Sequence, residues 1–420
     1  MKRAATLIFF FAASIYVAFA QDNQVTLEEC YTDAEQNYPL IRQLDLIEKA
    51  EAYNISNAMR RRLPSFVMNG QETYQSDITQ VPIQMPELQI EPPSKHQYKV
   101  YGEVSMKIFD GGTIRHEQQI AKDNASVNEQ QVKVDLYELK ERVNEIYFGI
   151  LIHDARLRQN QLLQDEIERG IRQVRAAIEQ GTALKSSVDA LQAEQLKAQQ
   201  QQIEFRANRK AYIEMLARMT GKPLNEATVF VTPQTIQHSF EVKRPELLLF
   251  AREKASLNVH DRMISARLLP KLSLFFQGGY GRPALNMLEN SAEAYYVTGF
   301  RLNWTISNFY TAKNDRALLD IKRRTINLQE ETFRFNTEIA LKQQRNEIEK
   351  LQQTLQTDDR IIEIREKIRN TAASQLANGV IHVNDYVQQV TAEDEARQNK
   401  ALHEVMLLFA QYKMKTTSGI

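Results

Sequence analysis

The feature that most constrains this chain is an internal duplication of long stretches without proline. Residues 112–180 and 309–377 contain no proline, and a glycine stands just beyond each stretch, at Gly181 and Gly379. Returning helical patterns follow at residues 183–219 and 382–417. Because proline breaks helices and glycine favours their ends, each half predicts a hairpin of two long helices.

Apolar residues in the first stretch recur at alternating spacings of four and three. The seam comprises Val132, Leu136, Leu139, Val143, Ile146, Ile150, Leu157, Ile167, Ile171, Val174 and Ile178, with His153, Asn160 and Gln164 at polar positions. This spacing is typical of a coiled coil, and one continuous helix over the stretch would be roughly 100 Å long. We expect His153 to serve packing or register rather than to bind a ligand.

Four segments alternate polar and apolar side chains, with interruptions at Glu72 and Phe275, and this alternation predicts strands. They are residues 65–74, 99–108, 271–280 and 296–306. In the last segment one face is formed by Phe300, Leu302, Trp304 and Ile306. Leu63-Pro64 and Leu269-Pro270 precede the two pairs. The residue before proline disfavours helix, so a helix is expected to stop at each of these points.

The predicted strands have the length of tilted membrane strands, which is about ten residues. Tyrosines stand near their ends, as in an interfacial aromatic girdle. These are Tyr74, Tyr98, Tyr280, Tyr295 and Tyr296. A soluble sheet packed on one side would alternate in the same way, so alternation alone leaves both interpretations open.

The N-terminus has the pattern of a secretory signal peptide over residues 1–20. Lys2 and Arg3 precede an apolar run, and Ala18-Phe19-Ala20 resembles a cleavage site, so the mature chain is expected to start at Gln21. The alternative is a membrane anchor, but the run is short and ends in small residues. No later apolar run has the ~18 residues of a membrane helix. The signal peptide and the long helices together favour a membrane sheet over a soluble one.

The whole pattern of helix, strand pair, long helix and returning helix occurs twice. The first repeat is predicted at residues 21–243 and the second at residues 244–420, with strand pairs within 64–109 and 270–306. The repeats start alike, since Pro39-Leu40 and Pro245-Glu246-Leu247 each place proline where a helix opens. The fold class is therefore mainly α, with long antiparallel coiled-coil helices and four strands per chain.

Composition excludes several classes of protein. The formal net charge is zero, which gives no electrostatic reason to expect nucleic acid as a partner. Cys30 is the single cysteine and cannot form an intrachain disulfide. The sequence has no phosphate loop, nucleophile elbow or clustered metal ligands, so no catalysis, metal or cofactor is predicted.

Four strands are too few to close a membrane barrel. Open sheet edges are not tolerated in lipid, and single-chain bacterial barrels start at about eight strands. The chain is therefore expected to share a barrel with other copies of itself. These considerations leave a dimer, a trimer and a tetramer open.

At this point the sequence resembles the TolC family of outer-membrane efflux ducts. The resemblance rests on the duplicated order of elements, the Pro39 and Pro245 starts, and the Gly181 and Gly379 hairpins. It rests also on Phe109, Asp110, Gly111 and Gly112, where the second strand becomes the long helix. The second repeat departs from this motif, with Ser307-Asn308-Phe309-Tyr310 in its place.

The resemblance implies a homotrimer with a twelve-stranded barrel in the outer membrane and an α-helical tunnel in the periplasm. It implies a passive exit duct that works with a periplasmic adaptor protein and an inner-membrane transporter, in contact with outer-membrane lipid. It also implies that the helical hairpins close the periplasmic end and that a partner helps to open it.

The same resemblance implies a constriction built from residues just beyond the hairpin glycines. Asp385 matches an acidic gate position, while Gln388 stands where a second acid is usual. Ser186, Ser187 and Asp189 are the counterparts in the first hairpin. A plainer interpretation is that Asp385, Asp189 and the two serines are solvated residues near helix starts, where Asp and Ser are favoured.

Two hypotheses thus remain for the function. The first is an export duct, and the second is a structural or adhesive coiled-coil protein of the cell envelope. A stalk protein needs no lipid-facing alternation in four separate segments, so the strands favour the duct. The cargo and the pump class are not indicated by the sequence.

Overall fold

The computed structural model describes residues 24–79, 92–181, 184–236 and 241–419. The predicted signal peptide lies outside the described residues. In chain order the elements are β1 Gln24–Val25, α1 Leu27–Asn37, a 3-10 turn Pro39–Arg42, α2 Gln43–Arg60, β2 Ser65–Tyr74, β3 His96–Phe109, α3 Thr113–Tyr137, α4 Leu139–Glu179, α5 Lys185–Thr220, β4 Val229–Phe230, α6 Pro245–Arg267, β5 Lys271–Arg282, β6 Glu293–Asn303, α7 Asn308–Ala377 and α8 Val383–Ser418. Among these helices none combines the length and apolar character needed to cross a bilayer.

The four predicted strands form one sheet in the order β2-β3-β5-β6. All neighbouring strands are antiparallel, and the register pairs Phe66 with Val104, Val104 with Phe276, and Leu274 with Phe300. Because side chains alternate between faces, this register gathers most apolar residues of the four strands on one face, while Val67, Phe275 and Val297 lie on the other. The alternation predicted from the sequence is therefore confirmed for the sheet as a whole.

The prediction for the end of the fourth strand was wrong. β6 ends at Asn303, so Trp304 and Ile306 lie outside the sheet. Trp304 instead donates its indole N–H to the carbonyl of Leu268 at 2.9 Å. The backbone then turns into α7, with the N–H of Phe309 bonded to the carbonyl of Ile306 at 3.0 Å.

The first long stretch is two helices rather than the one predicted. The two helices are divided only at Glu138, which keeps helical backbone angles and whose N–H still makes the regular i→i−4 bond to the carbonyl of Val134 at 3.3 Å. Seam residues on both sides, Leu136 and Leu139, are nevertheless buried. The heptad register therefore continues through the interruption, and α7 over 308–377 agrees with its predicted stretch.

The hairpin ends carry the predicted glycines in the left-handed conformation. Gly181 has φ 75° and Gly379 has φ 71°. After α7 the N–H of Val380 bonds to the carbonyl of Gln375 at 2.8 Å, and that of Gly379 to Leu376 at 3.0 Å. This pair of bonds is the Schellman motif, in which glycine avoids the cost of a Cβ at positive φ.

Among the described residues, one compact unit comprises residues 24–38, 139–181, 184–236 and 344–413. Its core is built on α4 around Tyr147 and Phe148, packed with Leu27, Ile213 and Leu216. The sequence did not predict the short parallel sheet of β1 and β4 in this unit. The Tyr147 hydroxyl lies 2.8 Å from the carbonyl oxygen of Val25 and 2.7 Å from that of Val231, and so ties this sheet to the core.

In the same unit the polar seam residues have packed surroundings. The ring centroid of His153 lies 6.2 Å from that of Phe205 and 5.8 Å from that of Tyr212, which agrees with a packing role. Asn160 is fully buried and donates to the carbonyl of Ala198 at 3.0 Å, while its own carbonyl accepts from Gln164 at 2.6 Å. Both positions therefore serve the helix interface.

The second unit comprises, of the described residues, 39–79, 92–138, 241–343 and 414–419. It contains the four-stranded sheet, with α3 packed on α2 and α6. Pro245 opens α6 as predicted, whereas Pro39 opens a 3-10 turn and α2 begins only at Gln43. α2 ends at Arg60 and α6 at Arg267, each a few residues before the predicted stop at proline, because 3-10 bonds close the last turns.

Candidate gate and strand–helix junction

The strand–helix junction of the first repeat is organised by the Asp110 carboxylate. Its Oδ1 accepts from the N–H of Gly112 at 2.9 Å and its Oδ2 from the N–H of Ile114 at 2.8 Å. These are donors that the start of a helix leaves unsatisfied. Burial works to raise the pKa of Asp110, but these backbone bonds outweigh it and hold the pKa below its usual range. Asp110 therefore caps α3 in its charged form.

The backbone conformation favours glycine at both Gly111 and Gly112, and close packing also requires it at Gly111. Both have positive φ, at 70° and 84°. A Cβ on Gly111 would in addition lie 2.7 Å from the carbonyl oxygen of Ala266 and 3.1 Å from Cβ of Leu269. The predicted junction residues Phe109 to Gly112 thus bring the end of β3 against the end of α6.

The second repeat makes its junction with different groups. Asn308 donates its side-chain amide to the carbonyl of Arg267 at 2.9 Å, next to the bond from Trp304 to Leu268. These donors satisfy carbonyls that the end of α6 leaves free. The departure from the glycine pair in this repeat therefore has a structural replacement.

The predicted gate residues lie in the first two turns of α5 and α8. Asp385 is exposed and accepts from the backbone N–H of His382 at 3.0 Å through Oδ2, so it caps its own helix. Gln388, Ser186 and Asp189 are exposed, and Ser187 is half-buried. The capping contact fits the plainer interpretation of Asp385, and the exposed carboxylate leaves the gate role as a prediction.

The two hairpins that carry these residues are packed together in the first unit. Val383, the first residue of α8, belongs to one apolar cluster with Val188 and Leu191 of α5 and with Ile171 and Val174 of α4. The predicted residues of both hairpins are therefore held near a common apolar core.

A polar network that the sequence did not predict joins α4, α7 and α8 behind these turns. The Tyr386 hydroxyl donates to Oε1 of Glu166 at 2.9 Å, and Glu166 also pairs with Arg169. Nε of Arg369 on α7 lies 2.7 Å from Oε2 of Glu393 on α8, and its Nη1 lies 3.6 Å from Oε1 of Glu166. Three helices are thus linked through one carboxylate of α4.

The neighbours of Glu166 in this network keep its carboxylate charged. Burial works to raise the pKa of Glu166, but hydrogen bonds from Arg169 and Tyr386 and the charge of Arg369 lower it overall. Burial and the adjacent carboxylate raise the pKa of Tyr386 well above its ordinary value. Glu166 is therefore ionised and Tyr386 is a donor near neutral pH.

Asp394 is the one described carboxyl group of α8 whose pKa is raised to about 6, chiefly by burial. Its Oδ2 accepts from Gln398 at 2.6 Å. It lines a cavity of about 80 Å³ between α4, α5 and α8, together with Glu194, Lys197 and Glu395. The charged neighbours on its own helix are Glu393, Glu395 and Arg397. Burial thus disfavours the ionised form of Asp394 more than Gln398 and Arg397 stabilise it.

The sheet of the second unit has one apolar and one polar face. Exposed residues of the apolar face include Phe66, Met68, Val100, Val104, Met106, Leu274, Phe276, Phe300 and Leu302. Tyr74, Tyr98, Tyr280 and Tyr296 share this face near the loop end of the sheet, whereas Tyr295 lies on the polar face. Contiguous exposed apolar surface of this kind marks contact with a membrane or another protein.

Within the described residues, no group of three or more His, Cys, Asp or Glu side chains could hold a metal ion. Nδ1 of His403 instead lies 2.7 Å from Oδ2 of Asp358. Cys30 is buried in the core of the first unit, and burial raises its pKa to about 12. Glu363 and Lys367 form an exposed i, i+4 pair, as the sequence indicates.

The duplicated helices and the sheet together define the fold of TolC-type outer-membrane channels. VceC of Vibrio cholerae matches with a TM-score of 0.64 at 12% identity over 93% of this chain and 94% of that one. CusC matches with a TM-score of 0.69 at 12% identity over 94% and 92%. The open state of MtrE of Neisseria gonorrhoeae matches with a TM-score of 0.64 at 13% identity over 94% and 88%.

The sequence supports the same assignment over its first repeat. Residues 30–222 match the family model described as outer membrane efflux protein. No curated protein matches the chain significantly by sequence. The predicted resemblance to TolC-type channels is confirmed, and the proteins that share the fold are channels rather than enzymes.

Proposed function

We propose that this chain forms the outer-membrane exit duct of a tripartite efflux or secretion system. Three copies would combine their four-stranded sheets into one barrel, continued by a periplasmic tunnel of helices. The duct would conduct cargo passively, because the energy for transport would come from an inner-membrane transporter joined through a periplasmic adaptor protein.

The two-faced sheet is the observation that carries this proposal. Its apolar face is widely exposed, with Phe300 at 69% and Met68 at 71%. Strands β2 and β6 are the ends of the sheet order, so their outer edges are unpaired in the described chain. In lipid such edges must be satisfied, and pairing β6 of one copy with β2 of the next would do so.

Helix α7 supports assembly from several copies. Apolar residues of α7 that recur at heptad spacing in the second unit remain exposed, including Leu328 and Phe335 at 63% each and Ile339 at 50%. Leu318 and Ile321 extend the same exposed stripe. A coiled-coil seam without a partner in its own chain suits packing against a neighbouring copy.

The trimeric number and the partners rest on the resemblance to the TolC family. Twelve strands would close a barrel, whereas four cannot. In this assembly the first turns of α5 and α8 would meet around the axis, and Asp385 would form one acidic ring with Gln388 beside it. The network of Glu166, Tyr386 and Arg369 would hold the hairpins closed until the adaptor acts.

The alternative is a structural or adhesive coiled-coil protein of the envelope. Expression of the full chain, membrane fractionation and electrophoresis with and without boiling separate the two. The duct predicts an oligomer in the outer-membrane fraction that falls to a single chain on heating. A soluble periplasmic monomer would contradict it.

A further inference from the structure

The polar face of the sheet carries more basic than acidic side chains. Within the described strands, its charged residues are Lys99, Lys107, Lys271, Arg301, Glu103 and Glu293. The chain as a whole has a formal net charge of zero. Positive charge is therefore concentrated on this face, although the overall composition gives no sign of it.

Three of the basic residues lie close together at the end of the sheet that joins the helices. Lys107 pairs with Ser273 of β5, and Ser273 pairs with Arg301 of β6, so one row crosses three strands. Lys271 follows on the same face, two residues from Ser273. We call Lys107, Lys271 and Arg301 the basic band.

The acidic residue nearest this band neutralises only one of its members. Glu103 forms a bidentate pair with Arg301, with N–O distances of 2.6 and 3.0 Å, and the guanidinium lies 4.4 Å from the Phe275 ring centroid. Among the described residues no carboxylate pairs with Lys107 or Lys271, and both are exposed. Each chain thus presents two uncompensated ammonium groups at this level.

We infer that the basic band binds anionic groups of the cargo and favours anionic solutes in the barrel. This inference rests on the proposed duct, in which the polar face would line the lumen and the apolar face would lie in lipid. Copies of Lys107 and Lys271 would then form a positive ring backed by a medium of low dielectric constant. Such a ring concentrates counter-ions and selects by charge.

Block by a polyvalent anion tests the inference. Purified oligomer would be inserted into planar bilayers in 0.1 M salt, where charges act over about 10 Å. Inorganic tripolyphosphate would be added on the sheet side. We expect it to reduce the current, and the double variant Lys107→Gln with Lys271→Gln to raise the half-blocking concentration roughly tenfold.

Two matched variants separate charge from structure. The double change of Lys107→Arg with Lys271→Arg keeps the charge and should keep the block. Ser273→Ala alters a neutral residue in the same row and should also keep it. A conducting channel that tripolyphosphate does not block, or blocks equally in the glutamine variant, would overturn this inference alone. Membrane-inserted protein that never conducts would overturn the duct and the inference together.

Discussion

The Tyr386 hydroxyl lies 2.9 Å from Oε1 of Glu166, so a single hydrogen bond joins α8 to α4 across 220 positions of sequence. Tyr386 lies in the first turn of α8, directly after Asp385, and Glu166 lies on α4. A hydrogen bond to a charged group contributes about 1.5–3 kcal/mol in proteins. This contact therefore has the strength to restrain one hairpin against another.

Tyr386→Phe removes this bond while retaining the aromatic ring. We expect faster hydrogen exchange in the first turn of α8 and a larger single-channel conductance, because the hairpins are held less firmly. Tyr53→Phe is the matched control, since Tyr53 is 71% exposed on α2. Equal hydrogen exchange in the first turn of α8 in the variant and the wild type would show that this hydrogen bond does not restrain the hairpin.

Asp394 should make stability depend on pH. Burial raises its pKa from 3.8 to about 6 in the folded chain, so the folded state holds the proton more tightly than the unfolded state. Stability should therefore be highest below pH 4 as far as this group is concerned, and fall as the pH rises through 6. The loss is roughly 3 kcal/mol, at about 1.4 kcal/mol per pKa unit.

Asp394→Asn should raise the unfolding midpoint at pH 7.5 and flatten its dependence between pH 4 and 7. Circular dichroism of the detergent-solubilised oligomer measures both. Glu338→Gln is the control, since Glu338 is an exposed carboxylate of α7 that does not line this cavity. An unchanged pH profile in the Asp394 variant would show that this carboxyl is not the group that titrates.

Gly111→Ala should destabilise the chain more than Gly181→Ala does. Both glycines have positive φ, but a Cβ at Gly181 meets no atom within 4 Å, whereas one at Gly111 meets the Ala266 carbonyl at 2.7 Å. We expect the free energy of unfolding to fall by about 1 kcal/mol for Gly181→Ala and by about 2–4 kcal/mol for Gly111→Ala. Denaturant unfolding of the two variants measures the difference, and equal losses would argue against close packing at the junction.

Asp385→Ala should weaken block of single-channel current by divalent and trivalent cations, because it would remove the one acidic ring of the proposed constriction. Gln388→Asp should strengthen the block by adding a second ring one turn further along α8. Block by cobalt or lanthanum ions measures both. Unchanged block in both variants would place the constriction elsewhere and leave Asp385 as a helix cap.

Local sequence signals predicted most of the fold. Proline, positive-φ glycine and alternation act over a few residues, and so β2, the Gly181 and Gly379 turns and the Pro245 start agree with the structure. The wrong end of β6 has a tertiary cause, because Trp304 bonds to Leu268 rather than continuing the apolar face.

Local sequence signals could not predict the polar network that joins α4, α7 and α8. Its members Glu166, Arg369 and Tyr386 come from three helices, and each would suit an ordinary solvated helix face. Only their burial and mutual contact distinguish them. The interruption at Glu138 also leaves the heptad pattern unchanged, so periodicity could not reveal it.

The central claim is that the sheet lies in a membrane with its apolar face in lipid. Spin labels on single cysteines at positions 66–69 and 274–277, in a Cys30→Ala background, test it most directly. In reconstituted oligomer, we predict that labels at Phe66, Met68, Leu274 and Phe276 collide with oxygen in lipid, while those at Asn69 and Gln277 collide with a water-soluble nickel complex. Equal exposure of both faces to the nickel complex would contradict a membrane barrel.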